Sequence, residues 1–118
     1  MNQESKAEQG SPATPNIIEL VVFKLVKGAT VEQLTGASVG VSDWVCTQPG
    51  FVSRELFYSK QSEQWVDFVR WESLEAATAA SEAAMSAEQC GPMFGLIDMA
   101  QTTMLHADPV MDLVLPAR

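Results

Sequence analysis

Histidine occurs once in this chain and cysteine twice. Cys46 and Cys90 are far apart, and no second histidine or carboxylate stands at ligand spacing from His106. Neither a metal site nor a disulfide framework is expected, and both cysteines read as small buried hydrophobes. Basic residues are scarce: seven Lys and Arg against fifteen Asp and Glu, a net charge of −8. Nucleic-acid binding needs a basic stripe, and an anionic membrane surface repels the same sign, so neither partner is expected; the charge reads as solubility. No apolar run approaches a membrane span. The glycines form no phosphate-cradling loop, and no serine stands in a nucleophile elbow.

With 118 residues, one domain is expected. Residues 1–15, MNQESKAEQGSPATP, carry almost no apolar side chain and read as a disordered tail, leaving 16–118 as the folded domain. The tail also lacks the apolar stretch of a signal peptide, so a cytoplasmic protein with reduced thiols is the expectation.

Residues 17–26, IIELVVFKLV, are rich in β-branched side chains and read as a first strand. Thr30 and Gln33 form a capping box, and Val31, Leu34, Ala37, Val41, Trp44 and Val45 recur at helical spacing, giving a helix over 31–46. Gly36 and Gly40 weaken that helix and allow close packing. Phe51–Lys60 and Trp65–Glu72 read as an antiparallel hairpin. Ser73 is a natural N-cap for an alanine-rich helix over 74–89, packing through Leu74, Ala77, Ser81 and Ala84. MFGLID, 93–98, suggests further helical turns, and TTMLHA, 102–107, a last strand; VMDLVLP follows as an apolar extended segment.

The order β-α-β-β-α-β is the ferredoxin-like pattern, an α+β fold whose antiparallel sheet carries both helices on one face. A sheet with one wet face alternates cleanly. The second and third strands do not: WVDFVRWE places large apolar side chains on both faces. The simplest cover for the second face is another copy of the same sheet, hence a homodimer, with the apolar segment 110–115 extending onto the partner.

The stretches VVFKLVKGATVEQL, QPGFVSRELFYS and WVDFVRWESLEAA together resemble the dimeric α+β barrel superfamily, and within it the antibiotic-biosynthesis-monooxygenase type of domain. The resemblance covers roughly 17–113 and is carried by a Pro-Gly turn before the second strand and a Trp-acid-Ser junction into an alanine-rich helix. It implies a ligand pocket between sheet and helices. The family includes cofactor-free oxygenases of quinols and anthrones and haem-degrading enzymes. The haem-degrading branch carries an Asn on strand one, a Trp on the second helix and a His near that helix's end. Here only Asn16, at the very start of strand one, answers to the first, and 74–89 has no Trp or His. Haem is not expected, nor is another cofactor.

A two-residue turn at Ser62–Glu63 makes facing hairpin residues add to 125; a sum of 124 would set Arg54 against Arg70. The sum of 125 pairs Glu55 with Arg70, Tyr58 with Asp67, Lys60 with Trp65 and Arg54 with Trp71, the last a cation–π contact. Arg54, Tyr58, Asp67 and Trp71 then share a face. A phenolic substrate oxidised by oxygen without a cofactor needs a base, an aromatic wall and a dry cavity. Asp67 and His106 are the candidate bases, Arg54 or Arg70 steadies the anion, and Trp71, Tyr58 and Phe94 are candidate substrate contacts. The same residues also read as satisfied cross-strand pairs in a buried interface, and the lone His106 as a structural residue. Three readings follow: a cofactor-independent monooxygenase acting on a small aromatic or quinol-like compound, a non-catalytic small-molecule-binding barrel, and, behind both, a purely structural dimerisation module.

Overall fold

A computed structural model describes residues 16–116; the tail read at 1–15 lies outside them. Eight elements follow: β1 Ile17–Leu25, α1 Val31–Val45, β2 Phe51–Ser59, β3 Gln64–Trp71, α2 Leu74–Ala84, a 3-10 turn Glu88–Cys90, a single-turn helix α3 Gly91–Phe94, and β4 Ile97–Ala107. The strands form one antiparallel sheet in the order β2-β3-β1-β4. This is the α+β, ferredoxin-like arrangement that the element order implies.

Both helix starts follow local chemistry. Gln33 N donates to Thr30 Oγ1 at 3.1 Å and Thr30 N donates to Gln33 Oε1 at 2.9 Å, a complete capping box. Ala76 N donates to Ser73 Oγ at 3.1 Å at the head of α2. Gly50, at φ +82°, turns the chain into β2 where a Cβ would stand 2.5 Å from Ala76 Cβ. Only glycine accepts both the dihedral and the approach of α2.

Alternation decides which face of the sheet is covered. Trp65, Asp67, Val69 and Trp71 on β3 are all buried, beneath the helices, and Val66, Phe68 and Arg70 on the opposite face are only partly so. The register places Glu19, Val21 and Phe23 of β1 on the helix side, opposite Val69, Asp67 and Trp65. Phe23, Leu34, Val41, Trp65, Cys90 and Met93 form one core cluster, and Val45, Val69, Trp71, Ala77 and Ala80 a second. The other face carries Ile18, Leu20, Val22, Val66 and Phe68, with Phe57 half exposed on β2 and Leu105 on β4.

Three expectations change. The β2–β3 pairs add to 123, not 125: Arg54 faces Val69, Glu55 faces Phe68, Leu56 faces Asp67 and Tyr58 faces Trp65. The hairpin loop is therefore Lys60–Glu63, and Lys60 faces no strand residue. Glu63 takes a left-handed φ of 56° and its N–H donates to Ser59 O at 2.8 Å. Ser-Glu suits no two-residue turn, and the longer loop needs only one residue at positive φ. A slip of two residues keeps every side chain on its face, so Arg54 and Asp67 still share one.

The alanine-rich helix ends at Ala84, not at 89, and Leu74 is half exposed while Ala77 and Ala80 carry the packing. Burial of Cys90 and Met93 against α1 and β1 overrides helix propensity over 85–90. Gly40 permits this, since a Cβ there would meet the Gln89 carbonyl oxygen at 2.6 Å; nothing lies near a Cβ at Gly36. β4 begins at Ile97, so Ile97 and Asp98 are strand rather than helix. It bulges between its two runs of pairing, where the Asp98 carboxylate accepts from Ala100 N and Gln101 Nε2. The segment 108–116 pairs with no strand among the described residues, and its Val110, Met111, Leu113, Val114 and Leu115 are exposed.

Candidate functional site

The bulge of β4 and the wrapped segment 85–96 leave a cavity of about 230 Å3 between helices and sheet. Its wall is mostly apolar: Val21, Val69, Trp44, Trp71, Phe94 and several methionines. Polar groups reach it from Glu19, Arg54, Asp67, Ser81 and Thr102. A largely apolar cavity with a few placed polar groups is the usual form of a small-molecule site.

Two polar assemblies are built into that wall. In the first, Arg54 reaches diagonally across the hairpin to Asp67. Arg54 Nε donates to Asp67 Oδ1 at 3.0 Å and Nη2 to Oδ2 at 2.8 Å, a bidentate pair with side chains only 6% and 12% exposed. Helix α1 completes the guanidinium shell. Nη1 donates to Ser38 O at 3.1 Å, Ser38 Oγ at 2.9 Å and Ser42 Oγ at 2.8 Å, and Nη2 approaches Met93 Sδ at 3.5 Å. Ser38 and Ser42 are one helical turn apart and so present both hydroxyls to the same group.

The second assembly centres on Glu19, the lone acid among the apolar residues of β1. Trp71 Nε1 donates to Glu19 Oε1 at 2.9 Å and Ser81 Oγ donates to Oε2 at 3.1 Å, tying β1, β3 and α2 together. The Trp71 ring also packs edge-on to Phe51, 5.8 Å between centroids.

Several expected partners are different ones. Asp67 pairs with Arg54 rather than Tyr58, because the register of 123 sets Tyr58 beside Trp65, ring centroids 4.7 Å apart. Arg54 makes no cation–π contact with Trp71; that contact is made by Arg70 over Phe68, at 4.9 Å, and Arg70 faces Ser53 rather than Glu55. Of the residues singled out in the sequence, Arg54, Asp67, Trp71 and Phe94 line the cavity together. Tyr58 lies away from it, in a separate and more polar recess with Lys24, Glu63 and Trp65. His106 sits on the helix side of β4 directly opposite Glu19, outside the cavity wall, with its Nε2 buried and without a hydrogen-bond partner among the described residues. Sequence reasoning missed Glu19, Ser38, Ser42, Trp44 and Ser81. Only Glu19 left a signal: the one acid in an apolar strand, on the face it shares with Val21 and Phe23.

Among the described residues no group of three or more His, Cys, Asp or Glu is placed to hold a metal ion, and no helix is long and apolar enough to cross a membrane. Cys46 is exposed, contrary to expectation, at the last turn of α1, whereas Cys90 is fully buried. Burial pushes the Cys90 thiol above its ordinary value of 9.0, and the nearby Arg54 charge opposes this more weakly. A thiol raised in the folded state favours folding below 9.0, and that contribution fades as pH climbs through the higher folded value. At neutral pH a disulfide reagent such as DTNB therefore titrates Cys46 quickly and Cys90 only after denaturation. Two fast thiols in the native protein would contradict this packing.

No family model matches the chain, and no curated protein matches it in sequence. Solved structures do. A monooxygenase from Streptomyces coelicolor, ActVA-Orf6, solved with the ligand nanaomycin D, is 26% identical with a TM-score of 0.63, over 88% of this chain and 95% of that one. SnoaB, a cofactor-independent oxygenase from Streptomyces nogalater, is 15% identical with a TM-score of 0.58, over 87% and 99%. A conserved protein from Methanosarcina mazei is 8% identical with a TM-score of 0.61, over 80% and 92%. The resemblance seen in the sequence holds in three dimensions: the chain is similar in structure to proteins of the antibiotic-biosynthesis-monooxygenase type of dimeric α+β barrel.

Proposed function

We propose that this protein is a cofactor-independent monooxygenase acting on a small aromatic or quinol-like compound. The observation that carries the reading is the cavity itself: an apolar chamber walled by Trp44, Trp71 and Phe94, with carboxylates set into its wall. Its likeness to two oxygenases of that general kind supports it.

Such a reaction needs an ionised, electron-rich ring carbon and dioxygen as oxidant. The ring carbon of an anthrone-like substrate adds dioxygen as a hydroperoxide. Loss of water then leaves a carbonyl, with one oxygen atom in the product and the other in the water. The chain's own part is to position the ring, take up the proton and exclude bulk water. Trp71 and Phe94 form the aromatic wall. The Arg54–Asp67 pair is the fixed polar corner of the cavity, and Arg54 supplies the one cation among its lining residues. Tyr58 lines a separate recess, and His106, although opposite Glu19 on the same face of the sheet, is not among the residues that line the cavity.

The second apolar face supports a homodimer. Ile18, Leu20, Val22, Phe57 and Phe68 form a contiguous patch, and the segment 110–115 adds exposed apolar side chains, as a self-complementary interface requires. Light scattering is expected to give twice the chain mass; a monomer at micromolar concentration would rule this out.

The activity test is oxygen uptake with anthrone and 1,4-naphthohydroquinone, measured against heat-denatured protein. Uptake well above autoxidation, with one oxygen atom incorporated from labelled dioxygen, is the expected result. No uptake, with a saturable thermal shift by the same compounds, would favour the non-catalytic binding protein instead.

A further inference from the structure

We infer that Glu19, with Ser81 beside it, is the group that accepts the phenolic proton of the substrate, so that the cavity selects hydroxylated arenes in their neutral form. The inference rests on the monooxygenase reading above and names the base that it requires.

The ionisable groups on the cavity wall are Glu19, Arg54, Asp67 and Cys90. Asp67 has both oxygens committed to Arg54 in a buried ion pair, and a proton placed there would break the pair and leave the guanidinium charge without its counterion. Cys90 is fully buried, with its thiol kept in the neutral form. His106 is off the wall. Glu19 remains, and its bonding suits the task. Both its hydrogen bonds come from neutral donors, and no ion pair among the described residues involves it.

The two donors to Glu19 differ in kind. The Trp71 indole N–H is fixed by a ring that is 2% exposed, so it holds Oε1 in one place. The Ser81 hydroxyl turns about a single bond. A substrate hydroxyl can displace it as donor to Oε2, or donate to Ser81 Oγ while the serine hydrogen stays on Oε2. Either way the substrate O–H bond breaks, the proton ends on Glu19 Oε2, and the electron pair stays on the aryl oxygen. Glu19 lies inside the sheet, paired with Val69 on one side and His106 on the other, so its backbone is held against drift. The same carboxylate sets the specificity: an aryl ether has no proton to give, and an already ionised phenolate meets a like charge.

The test compares 1-naphthol with 1-methoxynaphthalene, followed by tryptophan fluorescence, and oxygen uptake with 1,4-naphthohydroquinone. The wild-type chain is expected to prefer the naphthol by roughly tenfold, as a hydrogen bond to a charged acceptor gives. Glu19→Gln keeps the shape and a carbonyl acceptor for Trp71 but carries no charge. It is expected to cut the preference to under about threefold and uptake by about a hundredfold. Uptake in the wild type with an unchanged naphthol preference in E19Q overturns the assignment of Glu19 and leaves the oxygenase reading standing. No uptake in the wild type, with the preference lost in E19Q, overturns the oxygenase reading and keeps Glu19 as the hydroxyl acceptor. Failure of the wild type to bind either compound overturns both. Should E19Q not fold, Ser81→Ala serves: it frees Oε2, and a naphthol preference equal to wild type overturns the proposal.

Discussion

Replacing Arg54 with alanine is expected to lower the unfolding free energy by about 3–5 kcal/mol. The cost is not the value of one ion pair. Removing the guanidinium leaves the Asp67 carboxylate buried without a counterion and takes the donor from the buried Ser38 Oγ on α1. Each of these groups gave up water on folding and regains nothing in the mutant. The double substitution Arg54→Met with Asp67→Leu is expected to recover most of the loss, because the pair's attraction and its desolvation nearly cancel when both charges go. Urea unfolding at one fixed protein concentration reads both variants, since any self-association adds to the apparent stability. A single-mutant cost below about 1 kcal/mol would mean that Asp67 is well solvated, and the dry polar corner would have to be abandoned.

Trp71→Ala is expected to cost a similar amount, about 3–5 kcal/mol, for a different reason. Trp71 is among the largest fully buried side chains and fills the second core cluster between Val45, Val69, Ala77 and Ala80. Slim alanines on α2 cannot expand into the space, so a cavity remains. Trp71→Phe separates packing from polarity. It keeps most of the ring, and its cost is expected to fall to roughly 1–2 kcal/mol, the sum of a small void and a lost hydrogen bond. Both variants release Glu19 Oε1, so both are expected to lower oxygen uptake with 1,4-naphthohydroquinone. If Trp71→Phe were stable and fully active, the indole N–H would not matter to the site.

The site was half legible in the sequence. WVDFVRWE announces a buried aspartate between two tryptophans, and period-two alternation alone puts Arg54 and Asp67 on one face. That inference survived a register wrong by two residues, because such a slip moves partners without moving faces. The partners themselves depended on the loop, where Glu63 accepts a left-handed backbone that its residue type does not advertise. The aromatic neighbour of Arg54 and the polar neighbour of Tyr58 were therefore misassigned together. The serines of α1 were invisible for a simpler reason. A serine on a helix is usually solvated, and nothing in VEQLTGASVGVSDWV marks Ser38 and Ser42 as facing an arginine from another strand.

What the sequence by itself determined was local: where helices start, because caps are made within four residues, and which face each strand residue takes, because that alternation is covalent geometry. Tertiary structure alone decided where the alanine-rich helix stops, since the pull of Cys90 and Met93 into the core acts from outside the segment. It alone decided that Glu19, Trp71 and Ser81 meet, because those bonds span 52 and 62 residues of chain. Contacts at that separation exist only once the sheet has closed, and no local propensity encodes them.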